Sequence, residues 1–373
     1  MEKGERNMDE RDEALKRDRE RQRKREELRQ KREEQVKKQK KIAAGVSILA
    51  LVLLIAGIFA GVQISKNIKA DKAREKARQE KLAKEKEQEE NTVEFLAVGD
   101  NIAHQAIRES GMQENDVWNY DHVYQYVKKD VEAADLSLVT QETVFVEDRN
   151  NVSGYPTFGT PPEFGDALVN TGFDVVAHAT NHILDKGTKS IEYTLDWWKT
   201  NHPDTKILGI HESQEAADEI TVIKCKKLKI AMLDYTYGLN GLELPSDKKY
   251  LTDVFDAEKA RSDIQRAKEM ADVVMVVMHV GVEYQQDVDD ETKQWVDLFL
   301  EEGVDIVIGS HPHVVRTMET LTGEDGHKML VYYSLGNFTS TQNDLPSLLG
   351  AMAKITICLL YTSPSPRDVE ESR

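Results

Sequence analysis

Residues 273–284 read VVMVVMHVGVEY, and residues 305–315 read DIVIGSHPHVV. Each opens as an apolar run rich in Val and Ile and then breaks into histidine. An apolar run without alternation predicts a strand covered on both faces. Two further stretches have the same form, FLAVGDNIAH (95–104) and VVAHATNHILDKG (175–187). In an open α/β sheet, ligands bind at the carboxyl ends of the strands. Four such ends side by side would converge Asp100, Asn181, His182, His279, His311 and His313 on one pocket. Those residue types in one pocket describe a metal site.

Outward from these stretches, TVEFLAV, DLSLVT, DVVAHA, KIAMLDY, DVVMVVMH, DIVIGS and MLVYYSLGNF read as strands. Helical patterns fall between them, at 121–133, 161–171, 188–200, 257–270 and 290–302. Strands alternating with helices predict an α/β domain over residues 92–357. The chain carries no internal repeat, no GxGxxG and no P-loop.

The chemistry follows from the donor types. Carboxylate, amide oxygen and imidazole together suit a divalent manganese, iron or zinc ion. Two such ions can clamp the attacking and leaving oxygens of a phosphoryl displacement. Asp100 closes the first strand after Gly99, which is expected to let the backbone turn. Glu142 follows DLSLVTQ and offers a carboxylate that can bridge two ions. His311 and His313 are two apart, so on a strand end they would point the same way. Of the Asn181-His182 pair, one residue can coordinate while the other gives a proton to a leaving group. Asp185 lies three residues on and can orient His182. His104 is open between a metal ligand and a helix-start residue. His122, His178, His202, His211 and His327 read as structural or solvent-exposed. Asn337, in SLGNF, reads equally as a hydrogen-bonding support for the site and as a turn residue.

The N-terminal part has another character. Residues 1–41 mix Arg and Lys with Glu and Asp and carry a net charge of about +5. They lack the apolar heptads of a coiled coil, so they read as a solvated helix with i,i+4 ion pairs or as disorder. Residues 42–64, IAAGVSILALVLLIAGIFAGVQI, are uncharged. As a helix they reach about 35 Å, enough to span a bilayer as a signal-anchor. Lysines crowd the first edge, which favours a cytoplasmic N-terminus. Residues 65–91 read as a charged helical stalk. The whole chain carries −17, and the part after the stalk about −24, which excludes a general nucleic-acid binder. Two cysteines, Cys225 and Cys358, offer no CxxC and no disulfide framework. Residues 358–373 break the α/β pattern and are expected to be a non-native tail, with the natural C-terminus missing.

At VGDNIAH, ADLSLVTQET, FGTPPEFGDALVNTGFDVVAHATNHILDKG, MHVGVEY, GSHPHVV and YYSLGNF the chain resembles the CapA family of poly-γ-glutamate biosynthesis proteins. That family is related to the calcineurin-like metallophosphoesterases. The resemblance implies a layered α/β/β/α sandwich with a two-metal centre. Asp100 would be the first metal ligand and Glu142 the bridging carboxylate. Asn181, His279, His311 and His313 would complete the shell, and His182 would be the acid. The chain has Thr140-Gln141 where the family usually has Asn-Leu, Thr180 where it has Asn, and Val280 where a Trp is common. The Asp-x-His pair of ordinary metallophosphoesterases is absent.

The resemblance also implies a single-pass protein of the cell membrane whose main domain is extracytoplasmic. It would work with other membrane subunits on an anionic polymer or phosphoester, in capsule polymer synthesis or export. The reaction class would be metal-dependent hydrolysis or transfer. A non-catalytic polymer-handling scaffold and a stand-alone surface metallophosphoesterase are the alternative readings.

Overall fold

The computed structural model describes residues 2–114 and 117–359. The chain divides into two compact units, one ending at Lys84 and the other starting at Glu85. The first unit lies within helix α1 (Glu2–Glu90). Ion pairs at i,i+4 run along it, among them Arg17–Glu13, Lys24–Glu20 and Lys76–Glu80. Of the two states open to the charged segments, helix is the one found. By length and composition this helix can cross a membrane, and none of its apolar window is buried in the protein.

The second unit holds two six-stranded sheets. The first contains β1 (Thr92–Asn101), β2 (Leu136–Gln141), β3 (Val175–Ala177) and β4 (Lys206–Leu208), all parallel. Two later strands, β11 (Asn337–Thr339) and β12 (Met352–Cys358), pair with the other edge of β1. The second sheet has the order β5 (Thr221–Cys225), β6 (Leu228–Thr236), β7 (Val273–His279), β8 (Ile306–Ser310), β10 (Lys328–Tyr332), β9 (Met318–Thr322). Its four inner strands are parallel and its two edges antiparallel.

Successive strand residues point to opposite faces, and in β1 both faces are buried. Phe95 and Ala97 enter the layer between the sheets, against Met232, Met275 and Ile308. Leu96 and Val98 face outward onto Tyr124, Phe164 and Trp198, from α3 (Asp121–Tyr124), α5 (Glu163–Thr171) and α6 (Thr188–Asn201). On the far side, β6, β7 and β8 pack against α8 (Ala257–Met270) and α9 (Asp290–Glu302). The result is the expected α/β/β/α sandwich, and it explains the apolar runs without alternation.

Four details differ from the sequence reading. The pattern at 121–133 is two short helices, α3 and α4 (Lys128–Glu132). MLVYYSLGNF is not one strand, because the chain leaves the second sheet after β10 and joins the first as β11. Short α2 (Gln105–Ser110) and α7 (Gln214–Asp218), and strands β4, β5 and β9, carry no apolar run long enough to announce them. Finally, β12 takes in Cys358, opposite Thr92, one residue past the expected limit. The rest of the expected tail, from 360 on, lies outside the described residues.

Asp234 on β6 ties the sheets together. Its Oδ2 accepts the backbone N–H groups of His178 (3.0 Å) and Ala179 (2.8 Å), just past β3. Burial pushes its carboxyl up to about 8, against about 3.9 in an unfolded chain. The folded form therefore holds a proton that the unfolded form releases. This contribution is full below pH 4 and is lost as pH rises towards 8. Asp234→Asn, which mimics the protonated acid, is expected to remove that slope. Urea unfolding of both proteins at pH 5, 6.5 and 8 checks it: the variant's relative stability should rise by at most about 1.4 kcal/mol per pH unit.

Candidate metal centre

The parallel strands of both sheets end at one place, and there the expected residues gather. Asp100 is the penultimate residue of β1 and is fully buried. Its Oδ2 accepts the His311 N–H from the opposite sheet at 3.0 Å. Its Oδ1 lies 3.7 Å from His279 Nδ1, and its Oδ2 3.4 Å from His313 Nδ1. Gly99 does not turn the chain, as the sequence suggested. A Cβ there would sit 1.9 Å from the Gly336 carbonyl oxygen. The glycine lets β1 and the chain entering β11 close together, so that the Asp100 N–H donates to that oxygen at 3.0 Å.

Glu142 follows β2 and is buried. Its Oε1 lies 3.8 Å from His313 Nε2 and 3.9 Å from His182 Nε2. Burial, then the charge of Asp100, pushes its carboxyl up to about 8, against the pull of His313 and His182. The departures from the family pattern have structural work here. The Thr180 hydroxyl donates to the Glu142 carbonyl at 2.6 Å. Gln141 joins Asn101 at 2.7 Å to Thr143 at 2.8 Å beneath the site.

His279 ends β7, with Nδ1 2.9 Å from Ser310 Oγ and Nε2 2.8 Å from Asn181 Oδ1. Burial holds its imidazole well below the usual range. Burial likewise lowers His311 to about 3. His313 goes the other way. Burial opposes its charge, but Glu142 and Asp100 together raise it to about 9. The two histidines do not share a face by strand alternation, because β8 stops at Ser310. They sit in the following turn with φ of 94° and 59°, and the loop rather than the pleat aims them. Left-handed backbone at bulky residues costs about 1–3 kcal/mol each and concentrates at functional sites.

His182 Nδ1 lies 2.7 Å from Asp185 Oδ2, as expected from the spacing. The same oxygen accepts the Phe158 N–H at 2.7 Å, which holds Asp185 in place. Burial disfavours the His182 charge, but Asp185 and Glu142 outweigh it, so its pKa is raised. Its ring meets Phe158 edge-on at 4.8 Å.

Two ligand groups emerge among the described residues, Asp100–Glu142–His313 and Glu283–His311–His313. Asn181 and His279 border the first and are bonded to each other. His104 enters neither. It is the N-cap residue of α2 without a side-chain capping bond, its Nδ1 accepts the Thr341 N–H at 3.3 Å, and burial lowers its pKa to about 4. His178 is a core residue, accepting the Trp198 indole N–H at 3.0 Å. Asn337 supports the site, with Oδ1 3.1 Å from His313 Nδ1. Sequence reading missed Glu283, although MHVGVEY placed a carboxylate just past the His279 strand end. It also missed Asn240, whose Oδ1 accepts from Asn181 Nδ2 at 3.0 Å and whose Nδ2 lies 3.4 Å from His182 Nδ1. No local pattern marks Asn240, which arrives by a long loop after β6.

The donor set fits a divalent cation. Asp100 Oδ1, Glu142 Oε2 and His311 Nδ1 are buried and have no hydrogen-bond partner. Buried polar atoms are rarely left so, and two carboxylates packed this closely call for positive charge.

The chain is similar to proteins of known name. It is 29% identical over 226 residues to the PGA biosynthesis protein CapA of Bacillus subtilis, covering 60% of this chain and 57% of that protein. It is 23% identical over 273 residues to the capsule biosynthesis protein CapA of Bacillus anthracis, covering 71% and 64%. The chain thus spans about three fifths of the length of these relatives. A solved structure of a putative 5′-nucleotidase from Staphylococcus aureus matches at 14% identity with a TM-score of 0.40, over 69% of this chain and 57% of that one. Residues 94–342 match the model of the bacterial capsule synthesis protein family PGA_cap, a span that holds every residue of the centre described above. The resemblance read from the sequence motifs is thereby borne out, and the chain belongs to the PGA_cap family of bacterial capsule synthesis proteins.

Proposed function

We propose that this protein is a membrane-anchored, extracytoplasmic component of capsule-polymer synthesis or export, of the poly-γ-glutamate type, with a metal-dependent hydrolase or transferase centre. One observation carries the chemical part: three unpartnered, buried donor atoms on Asp100, Glu142 and His311 at the joined ends of two sheets. Family membership and the names of the relatives support the capsule role. The exposed apolar stretch of α1, with Leu53 64% and Phe59 70% exposed, supports an anchor, since such surface is costly in water.

Asp100, Glu142, Asn181, His279, His311 and His313 would hold two ions of manganese, iron or zinc. When bound, such ions polarise the scissile group and activate water. The chain's own residues do the rest. Asp185 accepts a hydrogen bond from the Nδ1–H of His182 and so directs Nε2 towards the pocket. The raised pKa of His182 keeps a proton on Nε2, ready for a leaving-group oxygen or nitrogen. Phe158 packs at a near right angle against this ring and helps hold it in place.

Metal content of the purified full chain in mild detergent, paired with turnover of an activated phosphodiester, tests the reading. Near two ions per chain with metal-dependent turnover is the expected result. Stoichiometric metal without turnover would favour the polymer-handling scaffold. A folded protein that takes up no metal would overturn the proposal.

A further inference from the structure

The second ligand group raises a question of delivery, because Glu283 lies on a loop, partly exposed, while its two histidines are buried. Loop carboxylates at a surface usually wander. This one is fixed on both sides. The Val282 carbonyl before it accepts from Arg316 Nη2 at 3.0 Å. The Tyr284 N–H after it donates at 2.8 Å to the carbonyl of Pro312, the residue between His311 and His313.

Arg316 is the centre of this arrangement. Its side chain is fully buried, and Nη1 donates to Asp289 Oδ2 at 2.9 Å. Its Nε donates to the Gln285 carbonyl at 2.9 Å. Asp289 in turn accepts the Val282 N–H at 3.2 Å and caps α9 through the Thr292 N–H at 2.9 Å. Gly281, with φ of 127°, makes room for this: a Cβ there would meet Arg316 Nη1 at 2.6 Å. One buried guanidinium therefore shapes the chain from 281 to 289 and anchors it to a helix. Tyr284, with φ of 61°, leans its ring over His313 at 5.8 Å, and its hydroxyl accepts from Gln342 at 3.1 Å.

The unpartnered atoms lie on residues of both groups. Asp100 and Glu142 of the inner one carry Oδ1 and Oε2, and His311 of the outer carries Nδ1. A neutral imidazole has one lone pair to give, so His313 can serve only one ion. We infer that Glu283 and His311 hold a second, outer divalent cation, with Arg316 as the residue that positions Glu283 for it. The centre is then asymmetric. The inner ion sits among fully buried donors, and the outer one depends on a carboxylate that meets solvent, so it binds more weakly and exchanges faster. This inference rests on the metal reading above and assigns a ligand beyond it.

The test is Mn²⁺ binding to the chelator-treated full chain in mild detergent, by calorimetry with metal content measured in parallel. The wild type should bind two ions with separable affinities. Glu283→Gln, a change at a partly exposed position, should keep the tighter ion and weaken the other by about 10–100-fold or more. Arg316→Lys should weaken the same ion about tenfold, with the tighter one unchanged, since lysine cannot reproduce the forked contacts. Two ions bound equally well by wild type and Glu283→Gln would overturn the inference and leave the metal centre standing. One ion in the wild type, indifferent to Glu283→Gln, would do the same. No ion at all would overturn this inference together with the function proposed above.

Discussion

Asp100→Asn is expected to empty the inner metal position while leaving the fold intact. Asparagine keeps an oxygen for the His311 N–H, now held at 3.0 Å by Asp100, but brings no negative charge. It also removes the repulsion that helps push Glu142 up to about 8, so the metal-free protein should melt no lower than wild type. Asp100→Ala is expected to lose the inner ion and stability as well. It strands the His311 N–H, a buried donor whose orphaning costs about 1–3 kcal/mol. Metal content and thermal melts with and without Mn²⁺ check both variants. The expected pattern is a reduced Mn²⁺-induced shift in both, from the outer ion alone, and a lower metal-free melting point in alanine alone. Full metal content in Asp100→Asn would show that the strand end is only a structural corner.

His182→Ala is expected to cut turnover by about 10²–10⁴-fold at unchanged metal content. Its ring faces the pocket through Nε2, 3.9 Å from Glu142 Oε1, and its other nitrogen is taken by Asp185. The loss should fall on kcat, because proton delivery to a leaving group matters in the transition state and not in binding. Asp185→Asn leaves the imidazole in place but weakens its orientation, and is expected to cost about 10–100-fold. A substrate with a leaving group that needs no proton should restore much of the rate in His182→Ala. Equal losses on good and poor leaving groups would remove His182 from the acid role. Loss of metal along with rate would make it a ligand instead.

Much of this was legible in the chain itself. VVMVVMH and DIVIGS announce strands buried on both faces, and the structure layers helices and a second sheet on them as such runs require. The donor types at four strand ends were legible too, since a parallel sheet sends every such end to the same side. What local pattern could not carry was the aim of side chains after the strands stop. His311 and His313 take left-handed backbone in a turn and not the alternation of a strand. His104, only four residues past Asp100, stands at the start of a short helix, and its Nδ1 accepts the Thr341 N–H instead of joining either ligand group. Asn240 and Glu283 reach the centre by loops whose path depends on partners remote in sequence.

The sequence by itself determined the α/β class, the apolar helix near the N-terminus and the stock of ligands, because periodicity and apolarity record burial residue by residue; the layered order came from the family resemblance. Only the tertiary structure decided which donors face one another. That choice rests on contacts between distant segments: the Gly336 carbonyl against Gly99, the His311 N–H on Asp100, and Arg316 on the loop from 281 to 289. Each is a hydrogen bond or close approach set by how two sheets pack, and no local window of sequence contains both halves of it.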